Sequence, residues 1–165
     1  MKKRILVIFL FFLPMMSLFA VQHTFHIGSG LGVRINRSYV SYGESGYYRY
    51  EPGVHITPVY FDYSLITDGG FSFKVSNSLG SEIDDILMLG IGYSPIVNDR
   101  VTLSLFGDIN LGPQIGTDIM FTYRFNNVFG LFVDVGTFWP VTDRASTHPF
   151  LGKIGVSFTI PRHND

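Results

Sequence analysis

The chain has 165 residues, which makes one domain the default. Only 15% of them are charged and 46% are hydrophobic, with 16 Phe, 9 Tyr and 18 Gly, whereas an ordinary soluble domain carries about 25% charge. There is no cysteine, which excludes disulfides, thiolate metal sites, cysteine nucleophiles and a lipidated N-terminal cysteine.

Lys2, Lys3 and Arg4 precede the uncharged run ILVIFLFFLPMMSLF, which ends at Ala20. This is the pattern of a secretory signal peptide over residues 1–20, with cleavage expected after Ala20. The run is short for a retained membrane anchor. Removing it leaves 9 basic against 13 acidic side chains, a net of −4. No basic patch remains to suggest a nucleic-acid partner.

Beyond Ala20 no stretch is apolar enough for a transmembrane helix, and alternation with a period of two takes over. In HTFHIGSGLGVRI, Phe25, Ile27, Leu31, Val33 and Ile35 alternate with Thr24, His26, three glycines and Arg34. Next, VYFDYSLI sets Val59, Phe61, Tyr63 and Leu65 against Tyr60, Asp62 and Ser64. FSFKVSNSL alternates most sharply, its Phe71, Phe73, Val75 and Leu79 opposing Ser72, Lys74, Ser76 and Ser78. ILMLGIGYS, VTLSLFGDINL, IGTDIMFTYRF and FGLFVDVG continue the pattern and add Asp108, Asp118, Arg124 and Asp134 to the polar face. FLGKIGVSFTI, with Lys153, is the eighth such segment.

Eight segments of this length suit tilted bilayer crossings of about 9–11 residues each. Short connections follow the second, fourth and sixth, while Asn36–Gly53 and Pro140–Pro149 are long. The third connection, around GPQ, is short as well. Alternating short turns and long loops are the layout of a membrane barrel. The expected fold is therefore all-β: an eight-stranded antiparallel up-and-down barrel over residues 21–160, with a short tail at 161–165.

The polar face decides which side is inside. It carries Arg34, Asp62, Lys74, Asp108, Asp118, Arg124, Asp134 and Lys153, together with many glycines, and the apolar face carries no charge. A narrow lumen needs small residues wherever a long side chain crosses it. A Lys or Arg facing lipid near the midplane costs about 2–4 kcal/mol, so the eight charges are expected in the lumen as an ion-pair network. Aromatic residues of the apolar face gather at the short-turn ends, among them Phe25, Tyr63, Phe71, Tyr93, Tyr123, Phe129 and Phe158, as in an interfacial girdle.

Turn lengths suggest a register. With Leu65 opposite Phe71, Asp62 faces Lys74; with Leu111 opposite Ile115, Asp108 faces Asp118. That places an acidic wall on strands five to seven, facing Arg34 and Lys153 on strands one and eight. Asn126-Asn127 as a two-residue turn would set outward Phe125 against inward Val128, so either Val128 joins the turn or a bulge intervenes.

KIGVSFTI resembles the C-terminal assembly signal of bacterial outer-membrane barrels, with Lys153, Gly155, Phe158 and Ile160 in its four slots, although PRHND follows Ile160. The whole mature chain resembles small eight-stranded outer-membrane barrels of the OmpX, OmpW and OmpA-transmembrane-domain type. The resemblance implies an outer-membrane location, lipid as surroundings, and barrel-assembly machinery and periplasmic chaperones as partners. A monomer without cofactor is expected.

The longest loop holds Tyr39, Tyr42, Tyr47, Tyr48 and Tyr50 beside Arg37 and Arg49. Tyr and Arg anchor binding surfaces, and an extended hairpin above the membrane accounts for them equally. His23, His26, His55, His148 and His163 show no spacing specific to nucleophilic or metal chemistry, so an enzyme is not expected. The expected role is structural or adhesin-like, through loops 36–53 and 140–149. Two alternatives are a soluble, secreted lipocalin-like barrel with an apolar ligand pocket and a narrow solute channel.

Overall fold

The computed structural model describes residues 20–42, 45–79, 87–110, 114–141 and 147–161. Residues 1–19 of the expected signal peptide 1–20 lie outside the described residues, as do 162–165 of the tail. Eight strands follow one another: β1 (Ala20–Tyr42), β2 (Ser45–Thr67), β3 (Phe71–Leu79), β4 (Leu87–Val97), β5 (Val101–Asn110), β6 (Gln114–Arg124), β7 (Phe129–Pro140) and β8 (Thr147–Pro161). Each pairs antiparallel with the next, and β8 closes on β1.

β-branched and aromatic residues alternating with small or polar ones produce these strands. The turns have local causes. Gly70 sits at φ 79° and donates its N–H to Thr67 O at 2.9 Å, closing the β2–β3 turn in a conformation that favours glycine. Asn98 Oδ1 accepts the N–H groups of Arg100 and Val101 between β4 and β5. Asn126 does the same for Val128 and Phe129 between β6 and β7. Val128 thus joins the turn, and Tyr123 meets Leu131 with both side chains outward.

Of the two readings of residues 36–53, the extended hairpin is the one seen. Instead of a loop over Asn36–Gly53, β1 and β2 pair without a break as far as Tyr42 and Ser45. A bulge interrupts the ladder lower down, because Gly28 opposes Tyr60 while Gly30 opposes Thr57. The extra β2 residue lies at Pro58-Val59, and a bulge is where proline is tolerated. Ser29 Oγ donates to Pro58 O at 3.0 Å there. The bulge also reverses parity on β2: Tyr60 and Asp62 point inward below it, Thr57 above it.

At the closing seam Gly28 and Gly155 face each other. A Cβ on either would run into the backbone of the opposite strand, at Ile154 O or Ile27 O. Gly155→Val is expected to cost at least the roughly 1–3 kcal/mol of overpacking and to leave the chain at its unfolded gel mobility after refolding in detergent. Gly107→Ala is the control, since its Cβ would meet nothing nearer than Ile91 O at 3.8 Å. Normal mobility of the Gly155 variant would show that the seam tolerates a side chain.

Candidate functional site: the lumen and the barrel surface

The inward residues of all eight strands are buried and mostly polar, in layers along the axis. At the short-turn end lie hydroxyls: Ser94 Oγ meets Ser72 Oγ at 2.5 Å and Ser104 Oγ at 2.6 Å, and Thr24 meets Thr159 at 3.2 Å. Above them His26 stacks edge-on against Phe132, with ring centroids 4.8 Å apart. Next comes the charged layer, and beyond it Tyr60, Met88, Phe138 and Leu151 form an apolar cluster toward the β1–β2 hairpin.

The charged layer is one connected chain. Lys74 Nζ reaches Asp108 Oδ1 at 3.3 Å, bonds Asp118 Oδ2, and lies 3.9 Å from Asp134 Oδ2. Asp134 Oδ2 in turn forms an ion pair with Lys153 Nζ at 3.0 Å, and Lys153 Nζ donates to Asp62 Oδ2 and Ser76 Oγ at 3.1 and 3.3 Å. Lys74 also sits 4.6 Å from the Phe106 ring centroid, and Lys153 4.9 Å from that of Tyr60, cation–π contacts that favour a desolvated ammonium. Lys74 is 1% exposed.

These partners differ from the sequence expectation in two ways. Leu65 opposes Phe73 rather than Phe71, so Asp62 meets Ser76, and Lys74 opposes Ser64 and Gly90. Ile109, not Leu111, opposes Ile115, so Asp108 meets Gly116 and Asp118 meets Phe106. Both shifts are by two residues, which preserves the face of every side chain. Second, the acidic residues of β5, β6 and β7 take their counterions from β3 and β8: Lys74 occupies the place expected of Arg34. Arg34 is half-buried, higher on β1 opposite Gly53. Arg124 leaves the network as well, donating Nε–H to Asp99 O at 3.0 Å and Nη2–H to Asn98 O. It ties down the β4–β5 turn, a role that strand alternation cannot reveal.

Outside, the arrangement inverts. Ile27, Phe61, Ile91, Leu105, Ile119, Val133 and Ile154 are exposed around the barrel, and the charges are within. At the short-turn end the outward aromatics meet in pairs: Phe25 with Tyr63, Phe71 with Tyr93, Tyr123 with Phe125, and Phe129 with Phe158. His23 Nδ1 joins this belt, 2.8 Å from Tyr63 OH. A surface of this kind needs lipid against it.

The chain is a transmembrane barrel. Its strand order and closure are the architecture of the small eight-stranded outer-membrane proteins. A soluble lipocalin-like barrel would place its apolar residues around an internal ligand pocket, the reverse of what is seen. No family model and no curated protein matches the chain. Among solved structures it is similar to the crystal structure of Ail, the attachment invasion locus protein of Yersinia pestis, in complex with the heparin analogue sucrose octasulfate. Identity is 11%, the match covers 84% of this chain and 98% of that one, and the TM-score is 0.41. The fold assignment rests on this chain's own ladder.

The remaining expected positions are simply placed. On β8, Lys153 points inward while Phe158 and Ile160 point outward, and Gly155 lies at the seam. Tyr47, Arg49 and Tyr50 are exposed on the hairpin, where Arg49 Nε pairs with Glu51 Oε1 at 2.8 Å. The side chains of Tyr39, Tyr42 and Tyr48 lie outside the described ones, as do residues 142–146 of the other long loop.

Proposed function

We propose that the protein stands as a monomer in a bacterial outer membrane and binds an extracellular partner through the β1–β2 hairpin, residues 36–53, with residues 140–149 beside it. One observation carries this reading. Among the described residues the β1–β8 ladder reaches Ile35 with Thr147 and the β2–β3 ladder Val59 with Leu79, while β1 and β2 stay paired to Tyr42 and Ser45.

Surface chemistry changes at the same height. Outward Leu31 and Ile56, Val33 and Val54, then Ile35 and Pro52 are the last apolar pairs, and Arg37 with Tyr50 comes next. From Phe25 to Ile35 the strand rises about 34 Å, or about 26 Å along an axis tilted by roughly 40°, close to the roughly 25 Å apolar band of such barrels. Arg37 and everything beyond it therefore clears the lipid. Tyr50, 61% exposed, is the kind of aromatic anchor that dominates binding energy.

The lumen supports the same reading. It is filled by a charged layer between hydroxyl and apolar layers, which favours a rigid stake over a solute channel. Lys153, Gly155, Phe158 and Ile160 supply the strand pattern that a barrel-assembly machine reads, with periplasmic chaperones delivering the chain.

Cells producing the protein should be cut by added protease within 36–53, and the truncated barrel should keep its heat-modifiable mobility. In the same cells Tyr47→Ala/Tyr50→Ala should lower adherence to an epithelial monolayer by about tenfold or more with unchanged barrel mobility. Unchanged adherence would overturn the hairpin as the binding surface, and cleavage confined to the short turns would invert the topology.

A further inference from the structure

The charged layer does not balance. Two lysines, Lys74 and Lys153, stand among four aspartates, Asp62, Asp108, Asp118 and Asp134, every one of them at most 4% exposed. Each ammonium thus faces one carboxylate too many. Lys74 is shared by Asp108 and Asp118, and Lys153 by Asp62 and Asp134. A net charge of −2 inside an apolar-walled barrel is not sustainable without compensation.

Unused polar atoms run through the whole layer. Asp62 Oδ1, Asp108 Oδ1, Asp118 Oδ1, both carboxylate oxygens of Asp134 and His26 Nδ1 are buried without a hydrogen bond. His26 is directly opposite Asp62 on the neighbouring strand, and its Nε2 is engaged with Thr122 Oγ1 at 3.4 Å. That leaves Nδ1 as the free edge of a ring 1% exposed. Among the described residues the other strands add no basic group at this level: β4 presents Gly90 and Gly92, β2 adds the Tyr60 ring, and Arg124 is bound to turn carbonyls.

We propose that the folded lumen binds one proton beyond those of its lysines, held on Asp118, which shares Lys74 with Asp108. That proton removes half of the excess charge, and the barrel becomes a proton-loaded plug whose tightness follows external pH. In the unfolded chain this aspartate is ionised at neutral pH, so the folded state holds more protons than the unfolded one. Stability must fall as pH rises, the opposite of ordinary salt-bridged carboxylates.

The test is a urea titration of the mature chain refolded in detergent, read by gel mobility at pH values from 7 to 9. While the proton is held, each pH unit should lower the folded-to-unfolded ratio by up to about tenfold. Asp118→Asn should flatten that slope, and His26→Gln should keep it. Asp108→Asn stands in should the Asp118 variant not refold. Infrared spectra of the folded barrel in deuterated buffer should show a protonated carboxyl carbonyl band, weakened in Asp118→Asn. A flat or rising pH dependence, or no such band, overturns the proposal. So does a loss at high pH that added sodium, potassium or calcium reverses, because a bound cation would then supply the charge.

Discussion

Lys74→Met is expected to destabilise the barrel by about 3–5 kcal/mol at neutral pH, the range for removing one partner of a buried ion pair. The methionine can fill the space of the lysine stem and keep contact with Phe106, so volume is not the cause. Asp108 and Asp118 lose the ammonium they share, and Asp134 loses the longer of its two ion pairs, the one across the lumen to β3. Low dielectric makes the repulsion among those that stay ionised large. Trp139 is the single tryptophan, outward at the hairpin end of β7, and its emission together with gel mobility follows urea unfolding in detergent. Adding Asp108→Asn and Asp118→Asn to Lys74→Met should recover most of the loss, since a charge-free set of similar shape replaces a broken one. If Lys74→Met alone matched the parent, the neighbouring carboxyls would already be neutral and the ion-pair account of the lumen would fail.

The architecture was legible because alternation is a physical requirement in a barrel wall. One residue out of step would place Lys74 or Asp134 in lipid, and the penalty writes itself into the sequence. The pairing within the lumen was less legible. Turn lengths left the β2–β3 and β5–β6 registers uncertain by a step of two, and such a step keeps every face while changing each partner. That is why Asp62 could be assigned to the lumen but not to Lys153, which approaches it from β8 over the inner face of β1. Pro58 was the available sign of the bulge, since proline inside a strand points to an irregularity. Its consequence, Thr57 turned inward above it while Tyr60 keeps the inward face that alternation gives it, needed the ladder itself. Arg124 shows the other limit: its parity was right, yet its partners are carbonyls of a turn on the far side of β5.

The second large effect separates lipid from water as the outer solvent. Ile119 sits midway along β6, opposite Leu105 on β5 and Val135 on β7, and is 53% exposed. Ile119→Arg places a guanidinium near the middle of the apolar band, with outward apolar neighbours on both sides. The cost expected is about 2–4 kcal/mol, whereas Ile115→Arg, beside Trp139 at the hairpin end, should cost about 0–1 kcal/mol because its head can reach the interface. Refolding into lipid vesicles, with the folded fraction read by gel mobility across a urea series, gives both values under one condition. Depth dependence is the decisive feature. On a water-facing wall both substitutions would be nearly silent, and equal effects at the two sites would show that the exposed apolar surface does not lie in a bilayer. A graded loss from Ile115 to Ile119 fixes the midplane on the barrel. The hairpin beyond Ile35 is then left outside the membrane by measurement.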